Sequence, residues 1–148
     1  MTNYWMGIAC SQHAFAGRDG KFAQLGHGKK SAISGLKKGD WIVYYSPREE
    51  IDGGTLVQAF TTIGQITSDR PYQADQTMGF HPYRVDVNFV LEAELAPIRP
   101  LLEKLELTKG RGQNWGIVMR GAKRKLSKPD FQKIALAMRI TTRCNFML

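Results

Sequence analysis

Gly39-Asp40-Trp41-Ile42-Val43-Tyr44-Tyr45-Ser46-Pro47 is the stretch on which the reading of the fold turns. A polar turn runs into five apolar residues, three of them aromatic, and a proline follows. Gly-Asp is turn chemistry. Alternation along a strand sends Trp41, Val43 and Tyr45 to one face and Ile42 and Tyr44 to the other. Both faces are apolar, as in a strand covered on both sides. The proline cannot donate to a ladder, so the strand is expected to end there.

Other strands are expected at 4–9, 56–66, 83–91 and 116–125. In the fourth, Val85, Val87 and Phe89 alternate with Arg84, Asp86 and Asn88. Short helices are expected over 11–16, with Gly17 as the stop, and over 30–36. A third is expected over 97–105, where Ile98, Leu101, Leu102 and Leu105 keep helical spacing. Ser127-Lys128-Pro129-Asp130 resembles a capping box opening a helix over 129–138, with Phe131, Ile134, Ala135 and Met138 as its apolar stripe. Three consecutive strands without an intervening long helix argue against a doubly wound sheet. The expected class is α+β: a small, mixed but mostly antiparallel curled sheet or barrel flanked by helices. At 148 residues the chain is read as a single domain over 1–148, with a substantial core.

No apolar run reaches the length needed to span a bilayer, and the start of the chain lacks a secretory pattern, so no membrane partner and a cytoplasmic location are expected. Cys10 and Cys144 lie at opposite ends without CxxC spacing. They read as free thiols, a terminal staple being the alternative. The net charge of +8 is unevenly placed. Residues 1–100 carry ten basic and ten acidic side chains, whereas 101–148 carry eleven basic and three acidic. Arg120, Lys123, Arg124, Lys125 and Lys128 form the densest group. A one-sided basic patch suits a polyanion, and a solvated face is the plainer alternative.

Catalytic patterns are scarce. His13, His27 and His81 show no metal-ligand spacing, and there is no nucleophile elbow, Walker loop or dinucleotide fingerprint. No metal and no cofactor is expected. Aromatics beside small polar residues are better represented: Tyr44-Tyr45-Ser46-Pro47, Tyr72-Gln73, Gly79-Phe80-His81-Pro82 and Asn114-Trp115-Gly116. Aromatic faces stack on flat rings, and fixed donors and acceptors read a ring edge, the pairing that an unpaired nucleobase requires. Taken singly, each aromatic reads more readily as core packing.

Several ordered blocks together resemble an EVE domain. They are Tyr4-Trp5-Met6-Gly7-Ile8-Ala9, Gly20-Lys21-Phe22-Ala23-Gln24-Leu25-Gly26-His27-Gly28-Lys29, the Gly39–Pro47 stretch, Gln58-Ala59-Phe60-Thr61-Thr62-Ile63-Gly64, Pro71-Tyr72-Gln73, Gly79-Phe80-His81-Pro82-Tyr83-Arg84, Pro97-Ile98-Arg99-Pro100-Leu101 and Asn114-Trp115-Gly116. The resemblance extends from about Thr2 to Met138. It implies a PUA-like fold related to YTH and ASCH domains, and nucleic acid as partner. The implied activity is reading a modified base, for example a methylated one, in DNA or RNA. The base-binding positions it implies are Ser11, Gln24, His27, Lys29, Tyr45, Ser46, Phe80, Pro82, Arg84 and Trp115, with Ala9, Cys10 and Gly28 beside them. Trp115 and Phe80 would stack on the ring, while Gln24, Ser11 and Ser46 would bond its edge. Lys29 and Arg84 would meet the sugar-phosphate, and the Arg120–Lys128 patch would meet neighbouring phosphates. Gly26 stands where many members of the family carry a larger side chain. The kinship with ASCH domains implies an alternative: a small hydrolase or ribonuclease acting on RNA or a modified nucleoside, with His27 and Lys29 as acid–base groups.

Overall fold

The structure, a computed structural model, describes residues 1–75 and 79–140. Cys144 lies outside them. Eight strands make one curled sheet: β1 (Tyr4–Ile8), β2 (Phe22–Ala23), β3 (Trp41–Glu50), β4 (Gly53–Ile66), β5 (Tyr72–Gln73), β6 (Tyr83–Phe89), β7 (Ala96–Pro97) and β8 (Lys123–Leu126). Among the described residues three helices flank it: α1 (Ser11–Gly20), α2 (Lys30–Ile33) and α3 (Lys128–Ala137). The strand order is β2-β6-β4-β3-β1-β8, with β5 on β6 and β7 on β4. β1 and β3 run parallel, Met6 opposite Val43, and the other pairs are antiparallel. The architecture is the mixed α+β half-barrel that the element order implies.

β3 separates two cores as its alternation requires. Trp41, Val43 and Tyr45 enter one with Phe60, Leu126 and Phe131, against which α3 packs. Ile42 and Tyr44 enter the other with Leu25, Ile33, Val85 and Phe89. The turn before β3 is held by Asp40. Its buried carboxylate accepts from the Asn3 and Lys37 amides and from Trp5 Nε1, at 3.0, 3.3 and 3.0 Å. One carboxylate thus ties β1, β3 and the Trp5 indole together.

Pro47 does not end the strand. β3 continues to Glu50 and folds back as a long hairpin. The ladder slips between Ser46, opposite Ala59, and Arg48, opposite Leu56, leaving one extra residue on β4. Gln58 occupies that bulge with a left-handed φ of 47°. A proline is tolerated in a ladder at such a bulge, where its missing N–H costs no ordered bond.

Three further expectations need correction. α1 runs through Gly17 to Gly20 and stops at Lys21, whose backbone is left-handed. Gly17 is there for contact, since a Cβ would lie 2.7 Å from the Phe22 carbonyl oxygen. The expected helix over 97–105 is a two-residue strand followed by a 3-10 turn and other turns. Its apolar spacing still buries Ile98, Leu101 and Leu105, but Pro100 lacks the amide that would make the first i→i−4 bond of an α-helix begun at Pro97. The expected strand over 116–125 begins as 3-10 helix (Gly112–Met119), and only Lys123–Leu126 joins β1. The capped helix forms as read: Asp130 N donates to Ser127 Oγ at 3.2 Å.

Candidate functional site

A cavity of about 430 Å³ opens on the second-core side of the sheet. The end of β1 and the start of α1 supply Ile8, Ala9, Cys10 and His13, and the loop after β2 supplies Gln24, Gly26 and His27. Phe80 precedes β6, Gly121 and Ala122 precede β8, and Ile51 is the tip of the β3–β4 hairpin. Chain pairing brings these pieces together: Ile8 N donates to Ala122 O at 3.1 Å and Ala9 N to Tyr45 O at 3.2 Å.

Gln24 is the most constrained polar residue of the wall. Its amide donates to the Tyr44 hydroxyl, which donates on to the Gln24 carbonyl, each at 3.2 Å. His13 Nε2 lies 2.8 Å from the same carbonyl. A carbonyl only accepts, so the His13 hydrogen sits on Nε2 and Nδ1 is left for other contacts. Arg84 Nε donates to Gln24 Oε1 at 2.8 Å, and the Arg84 guanidinium lies 3.8 Å over the Phe22 ring. Arginine has no acceptor, so that contact settles which end of the Gln24 amide is oxygen and leaves Nε2 as the donor Gln24 can offer. Tyr44 is fully enclosed, and burial pushes its hydroxyl well above the usual phenol range.

The opposite wall depends on Gly28, whose φ is 81°. A Cβ there would lie 2.4 Å from Pro82 Cβ and 3.1 Å from the Phe80 ring. Buried Pro82 therefore packs on a bare backbone and carries half-exposed Phe80 to the cavity. α1 begins at this rim. Its N-cap, Cys10, makes no side-chain cap bond, so the first amides of the helix are left for another acceptor.

Of the expected base-binding residues, the structure brings Gln24, His27 and Phe80 into the lining, with Arg84 and Pro82 directly behind them. Lys29 is exposed and sits one residue beyond Gly28, outside the lining. Ser11 is buried as the first residue of α1 and faces a neighbouring dent with Glu49 and Glu50. Three residues sit elsewhere. Tyr45 points into the first core, where it meets Phe60 edge-on at 5.7 Å and burial raises its hydroxyl pKa to about 12. Ser46 is fully buried, its hydroxyl 2.9 Å from that of Thr61. Their strand runs on past Pro47, so these positions are interior instead of a terminal rim. Trp115 packs on the first core from its 3-10 segment, with Arg99 5.6 Å over its ring.

The basic group divides by strand alternation. Lys123 and Lys125 flank the part-buried Trp5, at 5.8 and 5.4 Å from its ring, and Lys123 Nζ donates to Ser31 O at 3.3 Å. Arg124 shares the opposite face with buried Leu126, Arg120 is exposed just before the Gly121 lining, and exposed Lys128 begins α3. Among the described residues no group of three His, Cys, Asp or Glu is placed to hold a metal ion, and no helix is long and apolar enough to cross a membrane.

The profile of the EVE domain matches residues 3–137. The chain belongs to the EVE domain family. It is 41% identical over 140 residues to a UPF0310 protein of Mesorhizobium japonicum, covering 93% of each chain. It is 39% identical over 139 residues to a UPF0310 protein of Bacillus subtilis, covering 93% of this chain and 92% of the relative. A solution structure of a protein from Rhodopseudomonas palustris shares the fold with a TM-score of 0.56 at 14% identity, over 97% of this chain and 99% of the other. The EVE domain is thus PUA-like, and its cavity lies on the β1–α1 side of the half-barrel. His13 and Ile51 are EVE-domain cavity residues the sequence reading passed over. His13 is three residues after Cys10, one helical turn on. Ile51 is an isolated apolar residue in the acidic run Glu49-Glu50-Ile51-Asp52, 68% exposed, which is itself a signal.

Proposed function

We propose that this EVE domain binds nucleic acid and reads a modified base, in DNA or RNA, by admitting it to the 430 Å³ cavity. The observation that carries this is Gln24, immobilised by Tyr44, His13 and Arg84 in a wall shared with an accessible aromatic, Phe80. The volume suits a flat heterocycle. Phe80 offers a face for stacking, while Gln24 Nε2 and the first amides of α1 offer donors to the ring edge. Immobilised donors lose little freedom on binding, and a flipped base needs such a site to offset its lost stacking. Lys29, Arg120 and Lys123 around the mouth add attraction to phosphates without reading sequence.

The test is a titration of labelled oligonucleotides that carry 5-methylcytosine, N6-methyladenine or no modification, at two salt concentrations. The expected result is preference for a modified strand, lost in Phe80→Ala and Gln24→Ala but kept in Lys125→Ala, whose binding weakens for all strands alike. No preference in the unaltered protein, or preference untouched by both cavity substitutions, would overturn the reading.

A further inference from the structure

The cavity mouth is electrostatically two-sided. On one side lie the loop and short helix after β2 and the segment leading into β8. Residues 20–39 contain no carboxylate but include Lys29 and Lys30, and residues 107–129 contain none but include Arg120, Lys123 and Lys125. On the other side the β3–β4 hairpin reaches the rim with Ile51, which Glu49, Glu50 and Asp52 flank in sequence. All four are exposed, and Glu49 and Glu50 line the dent next to the start of α1. The Glu49 carboxylate is bonded to the Thr55 hydroxyl across the hairpin, so it is held at the tip. Arg48, nearby, is turned to the Gly54 carbonyl at 3.2 Å. Asp75, the carboxylate nearest Phe80 in sequence, is paired with His81 at 2.8 Å.

From this asymmetry we infer that the ligand is a single strand of nucleic acid, laid along the β8 side, and that the acidic hairpin excludes duplex. The inference rests on the reading under Proposed function. A base in the cavity brings its own strand's phosphates to the mouth. Residues two apart on β8 are about 6.8 Å apart, close to the interval between phosphates of an extended strand. Lys123 and Lys125 have that spacing, and the Trp5 face and Ser31 hold their ammonium groups. In a duplex the second strand would cross within a groove's width, about 6 to 12 Å away. The hairpin that reaches the same rim with Ile51 carries three exposed carboxylates there, and repulsion within about a Debye length is only partly screened. Ile51, alone among them, gives an apolar contact for the base next to the one bound.

The test uses the full chain and one labelled oligonucleotide sequence, carrying N6-methyladenine or 5-methylcytosine, presented alone and annealed to its complement. The unaltered protein is expected to bind the single strand about tenfold more tightly than the duplex at low salt. Glu50→Lys/Asp52→Lys should narrow that ratio by raising duplex affinity, and Glu50→Gln/Asp52→Asn should narrow it less. Phe80→Ala should lower both affinities and leave the ratio alone. Equal single-strand and duplex affinity, or a ratio unmoved by both hairpin variants, overturns the inference while base preference survives. Loss of modified-base preference on either form overturns the underlying reading instead.

Discussion

Arg84 and Gln24 are joined at 2.8 Å through Nε and Oε1, while the same guanidinium lies over the Phe22 ring at 3.8 Å. A strand residue on β6 thereby orients a loop residue sixty positions earlier. The ring contact restrains the guanidinium, and its Nε restrains the amide. Lysine reproduces the charge but neither the plane nor the fork. Arg84→Lys is therefore expected to weaken ligand binding about tenfold, with a stability cost of about 1 kcal/mol for the weakened bond to buried Gln24. Fluorescence anisotropy beside a urea melt separates the two. Unchanged affinity would show that Gln24 needs no orienter.

Tyr44 ties the other side of Gln24 and is the most enclosed ionisable group at the site. Tyr44→Phe leaves the buried Gln24 amide without this acceptor, at a cost of about 1–3 kcal/mol. Its folded pKa lies above the unfolded value near 10, as does that of Tyr45, raised to about 12. A group whose folded pKa is raised contributes stability that is complete below the unfolded pKa and lost as pH rises through the folded one. Stability should thus be level through neutral pH with respect to these tyrosines and fall from about pH 10 to 12. The Tyr44→Phe variant should start lower and fall less steeply. Chemical denaturation at stepped alkaline pH measures both, and parallel curves for the two proteins would contradict the assignment.

How far the site was legible follows from which faces periodicity can resolve. Alternation in Trp41–Tyr45 separated the two cores correctly, because every residue there is covered and only its side matters. It could not say that Tyr45 and Ser46 are interior, since that depends on the strand continuing past Pro47 through a bulge made by Gln58 on the partner strand. Phe80 was legible as an aromatic beside small polar residues, whereas Gln24 came only from the resemblance to the EVE domain. The bond from Arg84 to Gln24 was not legible, because it joins residues whose spacing in the chain carries no pattern. Ile98, Leu101 and Leu105 were rightly assigned to the core and wrongly to an α-helix, since a spacing of three or four suits 3-10 turns equally.

Trp115 separates the sequence reading from the structure. The family pattern implies that it stacks on a base, whereas the indole packs on the first core beneath Arg99. Trp115→Ala should then cost about 1–3 kcal/mol of stability through lost burial. The ratio of affinities for modified and unmodified oligonucleotides should not change. A drop in that ratio at full stability would return Trp115 to the ligand.

Gly28 gives the sharpest test of the cavity wall, because its substitution perturbs geometry without removing any functional group. At φ 81° a side chain is strained by about 1 kcal/mol before any contact is counted. The added Cβ must also clear Pro82 Cβ at 2.4 Å and Pro82 Cα at 2.9 Å, and neither atom belongs to a flexible chain end. Relief requires the segment before β6 to move outward, and Phe80 moves with it. Gly28→Ala is expected to cost about 2–4 kcal/mol, the sum of strain and overpacking. At a temperature where the variant remains folded, it should lose affinity for the modified strand while keeping the salt-dependent binding that Lys123 and Lys125 supply. Pro82→Gly combined with Gly28→Ala removes the Cβ that the new side chain would meet at 2.4 Å and should restore part of both losses. If the double variant binds no better than Gly28→Ala alone, the contact between Gly28 and Pro82 does not hold Phe80 at the cavity.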